Sequence, residues 1–314
     1  MNLLDAMRYL VALEQHRHFG RAASACHITQ PALSNALRAL EAELDVAIVR
    51  RGRAYEGLTP EGERVLASAN RLLREQELLR QDLHSSADTP RGTLLIGAVP
   101  TTLPVAARFA ARLQARHAGI KPVVRSLSSH EIETGLEGLS LDMGLGYTAR
   151  SAKFSAVPQY EERYFLLRRA ALGAREPLRV GAPIGWGEAA AMSLSLLTPD
   201  MHNRSIVDAA FREAGFEIRP ALETNSIVTL VLSVVEGELC SVVPGALLAL
   251  AEGHLGLEAL PLCAPEVCTP IGFMIAPGAR ASRALAAALA LACDSAWLGD
   301  AIAQGGLQGG LQSV

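Results

Sequence analysis

Thr29, Gln30, Ser34, Asn35 and Arg38 put a hydroxyl, two amides, a second hydroxyl and a guanidinium within a short stretch of chain. Gln30, Ser34 and Arg38 recur every four residues, with Asn35 alongside, while Leu33, Leu37, Leu40 and Leu44 recur at three- and four-residue spacing. This is the pattern of a helix with one apolar and one polar face. Thr29 predicts its N-cap, and Pro31 falls in the first turn, where a missing N–H costs nothing. The polar face can hydrogen-bond to base edges and phosphates, and Pro31 and Ala32 offer apolar contact to thymine methyls. Phe19-Gly20-Arg21-Ala22-Ala23 forms a shorter helical pattern just upstream. Two helices abutting across a tight break predict a helix-turn-helix, whose second helix enters a major groove. Arg50, Arg51 and Arg53 follow, a cluster suited to phosphate or minor-groove contact.

The elements around this motif must position it. Residues 5–14, with Met7, Leu10, Val11 and Leu13, predict a first helix packed under the next two. Residues 46–49 predict a short strand, 50–57 the turn of a hairpin, and Leu58 its return. Thr59-Pro60 opens a long helix running to about Ser85. Along it Val65, Leu72 and Leu79 repeat every seven residues, with Ala69, Gln76 and Leu83 between them, and Leu66 and Leu73 widen the seam. A heptad stripe under a charged outer face predicts a helix that pairs with a second helix.

The polar, broken run from Ser85 to Gly92 marks a boundary, and beyond it strand and helix patterns alternate. Strands are expected at 93–98, 122–127, 141–145, 193–197, 239–243 and 269–276, and helices at 103–117, 131–139, 205–214, 227–236 and 281–297. Such alternation predicts parallel sheets, which bind ligands beyond the carboxyl ends of their strands. Polar residues at those positions are the expected ligand contacts: Thr101 and Thr102, Ser128 and Ser129, Thr198, then His202, Asn203 and Arg204, and finally Asn225 and Ser226. Hydroxyl-rich helix starts facing one cleft suit a small carboxylate or other oxyanion.

Composition narrows the classes. The 314 residues are 50% hydrophobic and 19% charged with net charge −3, which excludes a uniformly basic nucleic-acid coat and makes any such contact local. Five cysteines, Cys26, Cys240, Cys263, Cys268 and Cys293, form neither an even set nor a C-x-x-C pair, against a disulfide or zinc framework. The longest apolar runs fall short of the ~20 residues that span a bilayer, and no secretory signal pattern opens the chain, so a cytoplasmic location is expected. The sequence carries no G-x-S-x-G, H-E-x-x-H, P-loop or dinucleotide-binding motif, and neither enzymatic activity, cofactor nor metal is expected. A solute receptor of periplasmic-binding-protein type without DNA function would share the second half but leave residues 1–85 without a use.

Taken in order, Phe19-Gly20-Arg21-Ala22-Ala23, Thr29-Gln30-Pro31-Ala32-Leu33-Ser34, Leu40-Glu41 and Leu58-Thr59-Pro60-Glu61-Gly62 resemble the LysR-type transcriptional regulators, along essentially the whole chain. The resemblance implies a winged helix-turn-helix over residues 1–58 and a linker and dimerisation helix with hinge over 59–90. It implies an α/β two-lobed, periplasmic-binding-protein-like effector domain over 91–300. Lobe 1 would be about 91–162 with 268–300 and lobe 2 about 163–267; by its own composition, Gly-Gly-Leu-Gln-Gly-Gly after Gln304, the end of the chain at 301–314 is expected to be a flexible tail. It implies a homodimer or homotetramer on promoter DNA, a small-molecule effector between the lobes, and contact with RNA polymerase if the protein activates. Asn35, Ala36 and Ala39 stand where many members carry basic residues or glutamine. The segments around His202 and Asn225 resemble those of regulators beside formate dehydrogenase operons, which makes formate one small carboxylate to consider.

Overall fold

The structure is a computed structural model, and it describes residues 2–51, 55–85, 89–170, 176–278 and 282–305. Arg53, residues 86–88 of the expected hinge and residues 306–314 of the expected tail lie outside the described residues, as does the side chain of Arg51. The chain divides into two units, Met1–Ser86 with Gly135–Ser140, and Ala87–Thr134 with Leu141–Val314.

The first unit opens with α1 (Leu3–His16), α2 (Phe19–Ala25) and α3 (Gln30–Leu44). Each starts on a side-chain cap: Asn2 accepts from the Leu4 N–H at 3.2 Å, His18 Nδ1 from Gly20 at 3.1 Å, and Thr29 Oγ1 from Ala32 at 3.4 Å. Leu10, Leu13, Ala22, Ala23, Leu33, Leu37, Leu40, Ile48 and Leu58 form the core. Leu44 does not join it: α3 ends at Asp45, which takes φ 53°, and Leu44 is left exposed. The hairpin is β1 (Val49–Arg51) with antiparallel β2 (Tyr55–Leu58). The strand expected at 46–49 therefore starts only at Val49. Glu41 Oε1 accepts from the Ile48 and Val49 N–H groups at 2.9 and 3.1 Å, tying this stretch to α3 before the ladder begins.

Helix α4 (Pro60–His84) follows, 25 residues long. Thr59 joins its start to the wing root, its N–H donating to Ile48 O at 2.9 Å and its hydroxyl to Ala47 O at 2.6 Å. Gly62 then passes directly over the Ile48 carbonyl, where a Cβ would stand 2.1 Å from the oxygen. Val65 and Leu66 pack against the core, whereas Leu72, Leu79 and Leu83 are exposed.

The rest of the chain runs β3 (Gly92–Ala98), a 3-10 turn (Pro100–Thr102), α5 (Leu103–Arg116), β4 (Ile120–Ser126), α6 (Ser129–Glu137), β5 (Met143–Tyr147), a 3-10 turn (Thr148–Arg150) and β6 (Ser155–Arg169). Then come β7 (Arg179–Val180), β8 (Ile184–Gly185), α7 (Trp186–Ala190), β9 (Leu194–Leu197), α8 (His202–Glu213), β10 (Leu222–Thr224), α9 (Ile227–Val235), β11 (Cys240–Pro244) and a 3-10 turn (Gly245–Leu250). The chain returns through β12 (Leu257–Cys263) and β13 (Cys268–Ile275) to α10 (Arg283–Ala292) and α11 (Ser295–Gly305).

The strands lie in the order β10-β9-β11-β6-β13-β5-β3-β4, with β12 also on β6 and β7 and β8 on β12. The sheets are mixed rather than parallel throughout, as the alternation alone suggested. β3 pairs in parallel with β4 and β5, and β9 with β10 and β11, but β6 is antiparallel to β11, β12 and β13. The reason is topological: β6 carries the chain from one lobe to the other, and β12 and β13 carry it back. β6 pairs with β13 up to Arg163 and with β11 from Tyr164, so one 15-residue strand belongs to both lobes.

Both faces of the lobe 2 sheet are covered. Tyr164 and Leu166 of β6 pack with Trp186, Phe211 and Val207, while Phe165 and Leu167 pack with Leu230, Val231 and Val234. In lobe 1, Phe109 packs at a tilt against Phe273 at 4.4 Å and meets Trp297 edge-on at 5.2 Å. The single helix expected over 281–297 is two, because the chain breaks at Asp294, whose carboxylate accepts from the Trp297 N–H at 3.0 Å and starts α11. Residues 301–305 belong to that helix, with Ala301 buried, rather than to a tail. Among the described residues no single helix is long and apolar enough to cross a membrane.

Candidate functional site

The first unit presents α3 as the expected surface. Its buried side is Leu33, Leu37 and Leu40, and Thr29, Gln30, Pro31, Ala32, Asn35 and Arg38 are exposed, with Ser34 half-buried between them. Asn35 Oδ1 accepts from Arg38 Nη1 at 3.1 Å, which steadies the guanidinium over the polar face. Arg50 is exposed at the wing. Tyr55 of β2 meets Phe19 of α2 edge-on at 6.2 Å and donates to Glu14 of α1, so the wing is pinned to the helices. Burial is the first cause that pushes the Tyr55 hydroxyl's pKa upward, and Glu14 is the second.

In the second unit a cavity of about 200 Å³ opens between the lobes. Lobe 1 supplies Val99, Pro100, Thr101, Ser128, Ser129, His130, Tyr147 and Arg150, and lobe 2 supplies Asp200, Met201, His202, Asn203 and Ser205. Its floor is a hydroxyl relay: Tyr147 Oη lies 3.1 Å from Thr101 Oγ1 and accepts from Asn203 Nδ2 at 3.4 Å, and Asn203 also donates to Tyr164 Oη at 3.4 Å. Burial, and then the charge of Glu162, hold the Tyr147 hydroxyl's pKa well above its ordinary value, so it stays a neutral phenol. At the rim Arg150 Nε donates to Glu133 at 3.0 Å, and Arg150 Nη1 lies 3.2 Å from His202 Nδ1. The His202 ring stands edge-on to Tyr147 at 4.7 Å. Burial, then Arg150, push the His202 pKa down, which favours the neutral imidazole.

Not every expected contact is here. Thr101, Ser128, Ser129, His202 and Asn203 line the cavity; Thr102, Thr198, Arg204, Asn225 and Ser226 do not. Thr102 is fully buried, and its hydroxyl donates to Val99 O at 3.0 Å and Leu145 O at 3.3 Å, closing the turn after β3. Thr198 has a buried hydroxyl without a partner but lies outside the lining. Asn225 is exposed, and Ser226 caps α9 by accepting from Thr229 at 3.3 Å. Ser128, although in the lining, is committed to a capping box, its N–H and hydroxyl both 2.8 Å from Glu131 Oε2. Ser129 differs, because its buried hydroxyl has no partner.

Arg204 turns away from the cavity. Its guanidinium donates to Asp208 at 2.7 Å, Glu223 at 2.6 Å and Leu197 O at 2.7 Å, tying α8 to β9 and β10. Arg204→Ala is therefore expected to cost about 2–4 kcal/mol of stability by leaving these acceptors with a lost partner, without touching the cavity. Urea unfolding of the full chain checks this; an unchanged midpoint would assign the residue no structural role.

Val99, Pro100, His130, Tyr147, Arg150, Asp200, Met201 and Ser205 also line the cavity and were not expected from strand-end position, Arg150 and Tyr147 being the two whose polar atoms join its hydrogen-bond network. Arg150 carries a signal in retrospect, as a lone cation three residues beyond β5.

A helix-turn-helix head and a two-lobed α/β receptor in one chain define a ligand-responsive regulator. Residues 4–63 match the bacterial regulatory helix-turn-helix protein, lysR family, and residues 87–296 match the LysR substrate binding domain. The chain belongs to the LysR family and is a DNA-binding transcriptional regulator with an effector-binding domain. It is 28% identical over 280 residues to the DNA-binding transcriptional dual regulator OxyR of Escherichia coli K12, covering 88% of this chain and 90% of that protein. A full-length OxyR variant from Pseudomonas aeruginosa has a similar structure, with TM-score 0.66, 25% identity, and 95% and 97% of the two chains covered. The fold is also that of full-length CbnR complexed with its target DNA, with TM-score 0.64, 18% identity, and 95% and 99% covered.

Proposed function

We propose that α3 reads duplex operator DNA through Gln30, Ser34, Asn35 and Arg38, with Thr29, Pro31 and Ala32 at its entry and Arg50, Arg51 and Arg53 on the flanking backbone. The exposed leucines of α4, with Leu72, Leu79 and Leu83 at 47%, 52% and 74% exposure, support pairing of this helix with a second copy. Paired heads would meet half-sites ~34 Å, or a multiple of it, apart. Arg38→Ala is expected to weaken binding to a duplex enriched from a random pool by the full chain, about tenfold or more, while barely altering binding to unselected duplex. Equal losses on both, measured by fluorescence anisotropy, would make Arg38 a phosphate contact only.

The effector we infer is a small carboxylate, of which formate is the smallest. The observation that carries this is the buried, unpartnered hydroxyl of Ser129, a residue that lines the same cavity as Arg150, His202 and the Tyr147–Asn203 relay. One donor without an acceptor and a guanidinium at the rim call for an oxyanion. Several relatives are named hydrogen peroxide-inducible genes activators, which makes peroxide the rival stimulus. Among the described residues the lining has the thioether of Met201 but no thiol, and burial pushes the Cys26 and Cys240 thiols up, toward the unreactive form. Thermal unfolding of the full chain with one- to four-carbon carboxylates, against hydrogen peroxide, decides between them. Stabilisation by a carboxylate is expected, about 2.7 kcal/mol at a hundredfold excess over Kd. Stabilisation or a shift by peroxide alone would reverse the assignment.

A further inference from the structure

Approaching the point where it changes lobes, β6 turns alternate side chains inward: Tyr160, Glu162 and Tyr164 are buried, Glu161 and Arg163 exposed. The inward carboxyl is the anomaly. Glu162 has 0% exposure, its Oε1 receives one long hydrogen bond from Tyr160 Oη at 3.5 Å, and its Oε2 is buried without a partner. Among the described residues no salt bridge reaches it. The ionisable groups around it are Tyr147 on β5 and Tyr160 and Tyr164 on β6, and a charge on Glu162 opposes ionisation of all three. Arg108 on α5 acts on Tyr160, and Glu252 and Asp300 act in turn on Arg108. From β13 the register partner is the uncharged Thr269.

A carboxylate in such surroundings has given up its hydration for almost nothing. Burial accordingly pushes the Glu162 pKa up to about 8. Tyr147 links this group to the effector cavity, since its hydroxyl lies at the cavity floor and shares the Asn203 amide with Tyr164, the buried residue two positions along β6 from Glu162. An anion in the cavity and a carboxylate at 162 would repel one another across a poorly screening interior.

We propose that Glu162 is a proton-holding specificity element of the effector site, a neutral carboxyl whose proton is retained or taken up when an anionic effector binds. The proton passes from solvent to a Glu162 carboxyl oxygen, and no other bond changes. The inference rests on the reading of the cavity as an anion site, and its chemistry follows from linkage: whatever favours the proton favours the anion. Above pH 8 anion affinity falls by up to about tenfold per pH unit. Affinity for an uncharged analogue of the same size stays flat, so at alkaline pH the site loses its preference for the ion.

Infrared difference titration of the full chain reads the protonated carboxyl C=O stretch directly, with Glu162→Gln assigning the band. The band is expected to persist through neutral pH, to vanish near pH 8, and to shift its midpoint upward with saturating formate. Formate affinity should lose about tenfold between pH 8.5 and 9.5 in the native chain and stay flat in Glu162→Gln, and formamide affinity should be flat in both. A ligand-free midpoint in the ordinary carboxylate range, about 4.3, overturns the proposal whatever the effector does. If formate protects the chain from unfolding yet leaves the midpoint in place, the coupling is wrong and the anion site stands. If formate, acetate and oxalate all fail to protect it, the anion site falls and the coupling with it.

Discussion

Gly62→Ala is expected to unfold the DNA-binding head and abolish duplex binding at 37 °C, while the effector domain keeps its own melting transition. In an ordinary helix interior, glycine to alanine gains about 1 kcal/mol. Here the sign reverses, because the added Cβ would stand 2.1 Å from Ile48 O and 2.9 Å from Ile48 C, both backbone atoms. Ile48 cannot retreat: its N–H is held by Glu41 and its carbonyl by the Thr59 N–H. Overpacking costs about 1–3 kcal/mol where side chains can yield, and more where only backbone can move. A head of this size has only a few kcal/mol to lose. Gly299 in α11 supplies the control, since nothing lies within 4 Å of its Cβ position and Gly299→Ala should be neutral or stabilising. Differential scanning calorimetry with anisotropy on the selected duplex checks both. A Gly62→Ala chain with unchanged head melting would show that α4 can shift along the wing root.

Arg150→Ala is expected to weaken carboxylate binding by about tenfold to a hundredfold, the worth of one charge-assisted hydrogen bond of about 1.5–3 kcal/mol. Duplex affinity without effector should hold. The guanidinium is the cation at the cavity rim, and it reaches across the lobes to His202 Nδ1. Arg150→Lys keeps the charge but loses the fork, so it should recover only part of the affinity. Calorimetry with the carboxylate that best protects the chain measures the series, and undiminished binding in Arg150→Ala would place the effector elsewhere. Thr102→Ala and Asn225→Ala, at positions first expected to touch the effector, should leave this affinity unchanged, since their side chains do not line the cavity.

The head was legible because its local signals agree with one another. Thr29 caps, Pro31 starts and Leu33, Leu37 and Leu40 face inward, all within one helix. The strands around β6 were harder to read. Its buried alternation includes Glu162, and Pro158 interrupts it, so the stretch looks polar and broken although the structure extends it over 15 residues. β12 carries Pro261 and was missed likewise. Strand-end position found Ser129, His202 and Asn203, but it could not separate hydroxyls that face the cavity from those that close a turn or cap a helix. Thr102 and Ser226 fall in the latter group, because capping chemistry and ligand chemistry choose the same residue types. Arg204 misled for a related reason: a cation at a helix start suits an anion, yet two carboxylates of its own chain had already claimed it.

The shared strand also sets an order of events during synthesis. β3, β4 and β5 leave the ribosome well before Cys268–Ile275, the segment that covers the far edge of β5. Until β13 arrives, that edge presents unpaired N–H and C=O groups, and the β6 segment that will pair with β13 has no neighbour on that side. Lobe 2 can close on itself meanwhile, so the first lobe to begin is the last to finish. Nascent chains stalled before residue 268 should therefore be the ones that chaperones hold and that aggregate when chaperones are scarce.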